Sequence, residues 1–386
     1  MKKKSILLVE PPYKTTYPSL GLMKISTWLK QKGCYVDFIR HDINDYRNGY
    51  LSGNYMYSGY RKKYDDIYIT SLFTYYFHEL VSTIEFYKRN YKKSSIHVGG
   101  ILASLNPGLI QERTGIEPHI GLLDEKGGAE YCSPDYSLYP YLDYSIAFTT
   151  RGCKNKCAFC CVNKHEPTYV VKDNWVNDIN LRFPKIIFWD NNWFQSPSLD
   201  KDISKLHELK THGIKNIDFN QGLDCRLFTK SLSNELKGLP IRPLRFAFDN
   251  MHEDGHIQRS IELAQNSGFN DIRVYVLYNS GMKDDTPQNF YYRIKEVNKL
   301  GAASYPMRFM PLDALSLRQC HNFVSNNWEK EILRALKLTL MFYYSEGLIS
   351  DKKDGFKNIY GNKYCLFYDK LKQIYKHDKE RGEKND

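Results

Sequence analysis

Residues 149–167 read TTRGCKNKCAFCCVNKHEP and continue a short apolar stretch, 145–150, with the look of a buried strand. Within them Cys153, Cys157 and Cys160 are spaced C-x3-C-x2-C. Three thiolates on one tight loop suit one soft metal centre. Gly152 lets the backbone turn closely beside them. A zinc site is one reading, although zinc usually takes four protein ligands in C-x2-C pairs. Cys161 is a spare thiol, but adjacent cysteines in a strand-like or turn geometry point apart. Chance clustering of buried thiols is another reading, and it rarely puts three cysteines in eight residues. A four-iron cluster with three protein ligands accounts best for the spacing. It leaves one iron open, where a small molecule can be bound and activated, and Cys161 then reads as packing.

Downstream of this loop, strand-like runs at 185–190, 216–220, 244–249, 271–278 and 304–311 alternate with helical patterns such as 200–211, 256–267 and 288–300. With 145–150 they make six strand–helix units, a partial parallel barrel whose reactive groups belong at the C-terminal strand ends. Upstream, a strand at 4–10 closes on Pro11-Pro12. A helix at 20–32, strands at 34–39 and 66–71, a helix at 77–90 and a strand at 96–98 follow, the last ended by Gly99-Gly100. That alternation predicts a second parallel sheet, with any ligand at its carboxyl edge. Residues 115–143 are rich in Gly, Pro, Asp and Tyr and read as a connector. Beyond 316 the chain looks helical, with a 3.6-residue pattern over 327–347, and the charged end, 376–386, is expected to fray. The expected fold is α/β: a Rossmann-like parallel-sheet domain over 1–143, a partial (β/α)6 barrel over 144–315 and a helical extension over 316–386.

The cysteine loop resembles that of the radical S-adenosylmethionine enzymes, in its three-Cys spacing and in Phe159 just before the third Cys. Its place after the first strand of a six-unit barrel agrees. The resemblance implies that Cys153, Cys157 and Cys160 hold a [4Fe-4S] cluster whose open iron binds the amino and carboxylate groups of S-adenosylmethionine. Reductive cleavage would give methionine and a 5′-deoxyadenosyl radical that takes hydrogen from a substrate. It also implies a one-electron reductase, such as a flavodoxin or ferredoxin, as partner.

The strand ends supply further candidates. Asp190 and Asn191 stand in FWDNNWF, where the family usually has a Gly-Gly-Glu type motif at the methionyl amino group. Gln221 and Arg226 lie in FNQGLDCRL after the third strand, and Asp249 ends the fourth. With Phe159 these are the candidates for contact with S-adenosylmethionine. Asp and Asn at such positions are equally favoured helix N-caps, and every one of these strands feeds a helix. Asn279 ends the fifth strand, while His252 and His256 are spaced i, i+4 and could share a helix face.

The stretches LLVEPPY, YPSLGLMKISTWLKQKGCYVDF and IHVGGILASLNP resemble the cobalamin-binding domain that precedes the barrel in one branch of the family. The resemblance makes Gly99, Gly100 and Ser104 the candidates beside a cobalamin tail. An Asp-x-His-x-x-Gly motif is missing, and GLLDEKGGAEY stands where an acidic Gly-Glu-Gly-Glu stretch is common. A cobalamin-dependent radical methyltransferase is therefore the alternative within this chemistry.

The 386 residues are 42% hydrophobic and 15% aromatic, which excludes a disordered chain. No run of about 18 apolar residues predicts a membrane helix. The apolar stretch at 6–9 is too short for a secretory signal, so the chain reads as cytoplasmic, and its nine cysteines as thiols or ligands. The formal charge is +11, and the excess leans toward 145–386. An anionic substrate or a nucleic acid is open on that ground. With 31 tyrosines, the charge also motivates a reading of another class, a non-catalytic nucleic-acid-binding protein with a structural metal, although no recognised nucleic-acid module is present.

Overall fold

The computed structural model describes residues 3–42, 63–123, 128–343, 349 and 361–382. The first unit is a four-stranded parallel sheet in the order β2-β1-β3-β4. Its strands are β1 (Ser5–Glu10), β2 (Tyr35–Arg40), β3 (Asp66–Ser71) and β4 (Ser95–Gly100). Ile6 to Val9 are all essentially buried, as a central parallel strand requires, because helices cover both faces. Helix Leu20–Gln31 packs on one face through Leu22 and Leu29, and helix Phe77–Asn90 on the other through Leu80 and Ile84.

The second unit opens with β5 (Tyr144–Ala147), followed by the short β6 (Thr150–Arg151) and β7 (Val170–Val171), which pair antiparallel. Strands β8 (Lys185–Phe188) and β9 (Asn216–Phe219) extend a parallel sheet from β5. Strands β10 (Leu244–Ala247), β11 (Ile272–Tyr278) and β12 (Ala303–Arg308) form another. Parallel bridges Ile217–Ile241 and Leu223–Phe246 join β9 to β10, so the six parallel strands succeed one another in chain order. The main core lies between these strands and the surrounding helices and includes Ile186, Phe188, Phe246, Phe248, Val274 and Val276.

Two expectations are corrected. The strand expected at 145–150 stops at Ala147, because the Thr149 and Thr150 amides turn away to bond the Asp190 carboxylate. The end expected to fray is helical through Gly382, in helix Tyr364–Gly382. Phe367 and Leu371 of that helix are buried in the core, and Arg334 Nη2 forms an ion pair with Asp378 Oδ2 at 2.6 Å in its last turns. The 3.6-residue pattern of the tail is the helix Lys330–Tyr343; residues 344–347 and 383–386 of these expectations lie outside the described residues. No helix among the described residues is long and apolar enough to cross a membrane.

Four buried charges join the two units. Lys24 Nζ donates to the Glu130 carbonyl at 2.7 Å and lies 3.4 Å from Asp178 Oδ2. Lys172 Nζ meets Glu130 Oε1 at 3.5 Å and Asp178 Oδ2 at 3.4 Å. Burial pulls the Lys24 amine down to about 8 against the attraction of both carboxylates, and the Lys172 ammonium beside it adds to the fall. Lys172 goes the other way: burial is outweighed by Asp178 and Glu130, so it keeps its proton more firmly. Breaking a buried ion-pair set by removing one partner leaves stranded charge. Lys24→Met should therefore cost about 3–5 kcal/mol in denaturant unfolding. Lys24→Met with Asp178→Leu, which removes one charge of each sign, should cost clearly less.

Candidate active site

The cysteine loop is held by carboxylates on either side of it. Asp190, 4% exposed, accepts from the Thr149 amide, from the Thr150 amide at 2.7 Å, and from the hydroxyls of Thr149 (2.6 Å) and Thr150 (2.8 Å). Glu166, also buried, takes Arg151 Nη2 at 2.6 Å on one oxygen. Its other oxygen takes the Gly152 amide at 2.7 Å and Asn191 Nδ2 at 3.2 Å. Gly152 has φ +75°, and a Cβ there would lie 2.5 Å from the Thr168 carbonyl, so only glycine fits this turn. Gln195 clamps the next residues: its Oε1 accepts the Lys154 amide at 3.0 Å and its Nε2 donates to Asn155 Oδ1 at 2.8 Å. Asn155 Nδ2 reaches Asp224 Oδ2 at 3.3 Å.

On this loop Cys153, Cys157 and Cys160 are all part-exposed. The Asn155 amide approaches Cys153 Sγ at 3.4 Å, and the Cys160 amide bonds the Cys157 carbonyl at 3.1 Å. Burial pushes the Cys157 thiol up to about 11, and the neighbouring thiols of Cys160 and Cys153 add to the effect. Among the described residues, no three His, Cys, Asp or Glu groups converge tightly enough to hold a single ion. A mononuclear zinc needs ligands at about 2.3 Å from one centre. An iron–sulfur cube spreads its thiolates over different irons. Three soft donors on one pinned loop, close enough to act on each other's protons, fit such a cube.

Two of the strand-end candidates, Arg226 and Asp249, act electrostatically on the cysteine thiols, and Asp224 acts with them. The charges of Asp224 and Arg226 act on Cys153, and those of Asp249 and Arg226 on Cys157. Arg226 grips Asp224 bidentately, Nε to Oδ1 and Nη2 to Oδ2, both at 2.7 Å. Burial would raise the Asp224 carboxyl, but the Arg226 hydrogen bonds outweigh it and hold it low. Asp249 accepts the Leu277 amide at 3.2 Å, and burial lifts its carboxyl to about 6. Glu253 takes the Asp249 amide at 2.6 Å and closes a capping box with Asn250.

The remaining candidates are placed otherwise. Asp190 is spent on the amides and hydroxyls of the two threonines. Asn191 reaches Glu166 and the Gly152 carbonyl, at the base of the loop. Gln221 is exposed and Phe159 half-buried. Asn279 is a structural turn at φ 62°, bonded to the Phe323 carbonyl and the Ser325 amide. His252 sits in a 3-10 turn and His256 opens the helix after Gly255, so they share no helix face. Gly100 has φ +113°, and a Cβ on it would lie 2.2 Å from the Ser71 carbonyl, so its glycine is already required by the sheet. Ser104 donates to the Gly100 carbonyl and accepts from the Gly121 amide, each at 2.9 Å, while Gly99 faces His119. Glu166 and Gln195 hold the cysteine loop and were not singled out from the sequence. The one visible signal for Glu166 was a lone acid closing a run of Arg151, Lys154, Lys156 and Lys164.

The fold is that of known radical S-adenosylmethionine methyltransferases. The structure of TsrM from Kitasatospora setae with tryptophan substrate and the analogue aza-SAM matches with a TM-score of 0.62 and 14% identity, over 82% of this chain and 76% of that one. The TsrM structure with cobalamin and a [4Fe-4S] cluster matches with a TM-score of 0.62 and 14% identity, over 92% and 82%. No family model and no curated protein matches the sequence.

Proposed function

We propose that the protein is a radical S-adenosylmethionine enzyme. The observation that carries this is the loop of Cys153, Cys157 and Cys160, pinned by Asp190, Glu166 and Gln195 at the head of six successive parallel strands. The three thiols hold a [4Fe-4S] cluster. Bound there, the cluster supplies the electron that splits S-adenosylmethionine and so starts hydrogen abstraction from the substrate. Arg226 and Asp249 stand beside the cysteines, a cation for a carboxylate and an acceptor for an ammonium or ribose hydroxyls. Burial raises the Cys160 thiol, and a hydrogen bond from the Val162 amide works against that rise. Exposed Lys154, Lys156 and Lys164 surround the loop and suit an acidic one-electron carrier such as a flavodoxin or ferredoxin. Anaerobic reconstitution should give about four irons per chain and reductant-dependent release of 5′-deoxyadenosine. An iron-loaded chain that never cleaves the cofactor under any reductant would sink the proposal.

A second reading, cobalamin-dependent methyl transfer, draws support from the likeness in fold to TsrM with cobalamin bound. Gly100 and Ser104 have uses internal to the sheet, which weakens their assignment to a corrinoid tail. Retention of hydroxocobalamin through gel filtration supports this reading; complete loss removes it.

A further inference from the structure

Three residues separate the first two cysteines of the loop, and the middle one, Asn155, uses all four of its polar atoms. Its amide donates to Cys153 Sγ at 3.4 Å, and its carbonyl accepts Asn163 Nδ2 at 3.0 Å. Asn163 lies beyond the third cysteine, in the short helix Val162–His165. These two bonds therefore close the loop from its first cysteine to the turn past its last. The side chain reaches outward: Oδ1 accepts Gln195 Nε2 at 2.8 Å, and Nδ2 donates to Asp224 Oδ2 at 3.3 Å. Gln195 stands past the end of β8 and Asp224 past the end of β9, so the loop is braced against two neighbouring strands.

The direction of this chain of bonds is fixed at both ends. The Lys154 amide can only donate, so it selects Gln195 Oε1 at 3.0 Å and turns Gln195 Nε2 toward Asn155. The ionised Asp224 carboxylate can only accept, so it selects Asn155 Nδ2. Asp224 is itself steadied by Arg226, through two bonds at 2.7 Å, and by Asn192 Nδ2 at 3.1 Å. A side chain at 155 must accept on one side and donate on the other over a short reach, and a primary amide does both. An Asp there would set a second carboxylate against Asp224, and an Ala would supply neither bond.

We propose that Asn155 is the positioning residue of the cysteine loop, setting the Cys153 sulfur by its amide and the loop's place against β8 and β9 by its side chain, through bonds that need no metal. Outer groups that orient ligand atoms govern how tightly a metal is held. That the loop binds an iron–sulfur cluster rests on the reading above; that Asn155 orders the loop does not.

Two measurements on the full chain test this. In the iron-free protein, hydrogen exchange followed by mass spectrometry should show the amides over 153–160 protected. Asn155→Ala should speed their exchange about tenfold or more and leave exchange in β8 and β9 unchanged. In the reconstituted protein, the same variant should lose iron to a ferrous chelator about tenfold faster or more. Asn155→Asp should be at least as poor as Ala. Asn155→Asp combined with Asp224→Asn, which again faces one donor with one acceptor, should recover much of both properties. Exchange and iron loss unmoved by Asn155→Ala, or an exchanged pair no better than Asn155→Asp alone, overturns the proposal. A native chain that takes up no iron yet shows the exchange effect supports the positioning role and overturns the cluster reading alone.

Discussion

Replacing Cys157 with Ala should abolish iron retention and reduce release of 5′-deoxyadenosine to background. Cys157 is the middle ligand of the proposed set, and its thiol is the one acted on by both of the others. Two thiolates cannot hold a cube against a reducing, chelating solvent as three can. Cys153→Ala and Cys160→Ala should match it. Cys161→Ala should not: that residue opens the short helix Val162–His165 and is the control that separates ligation from packing. Iron content and the visible absorbance of the reconstituted variants check all four. Full iron in Cys157→Ala, or loss of iron only in Cys161→Ala, would refute the ligand set.

Asp190→Ala should destabilise the protein by about 3–5 kcal/mol, measured by denaturant unfolding, and should lower iron retention with it. Among the described residues near the site no other side chain satisfies so many buried donors: two amides and two hydroxyls of Thr149 and Thr150 would lose their acceptor together. Each stranded donor costs about 1–3 kcal/mol, and partial entry of water offsets some of the total. The same bonds set where the chain leaves β5 and enters the cysteine loop, so their loss loosens the ligands. Asp190→Asn keeps one acceptor oxygen and should fall between the two. An Ala variant of native stability would mean that the threonines have other partners.

These two residues also show how far the chain can be read unaided. The cysteines announce themselves by spacing, since ligands on one loop are a local matter. Asp190 is equally visible at a strand end, as a candidate for contact with S-adenosylmethionine. Parity gives its true direction: it shares a face with Ile186 and Phe188, both buried in the outer core. Asp249 shares a face with Arg245 and Ala247, half-buried on the inner side, and it does stand by the cysteines. A shift of one residue exchanges the two faces of a strand, so a strand end read to within one residue cannot say which way its last side chain points.

Sequence alone determined what repeats over short distances. Alternating apolar runs and helical spacings marked both parallel sheets, and β3 and helix Phe77–Asn90 fall at 66–71 and 77–90, as the pattern predicts. Three thiols in eight residues marked the metal loop. Only the tertiary structure decided which groups complete these features. Glu166 became the anchor of Arg151 and Gly152, Lys24 entered a charge cluster with Glu130, Lys172 and Asp178, and Tyr17 met Asn220 across 203 positions of chain. Periodicity records which face a side chain takes in its own element. It carries no record of the partner on another, because that contact is chosen by the packing of whole layers.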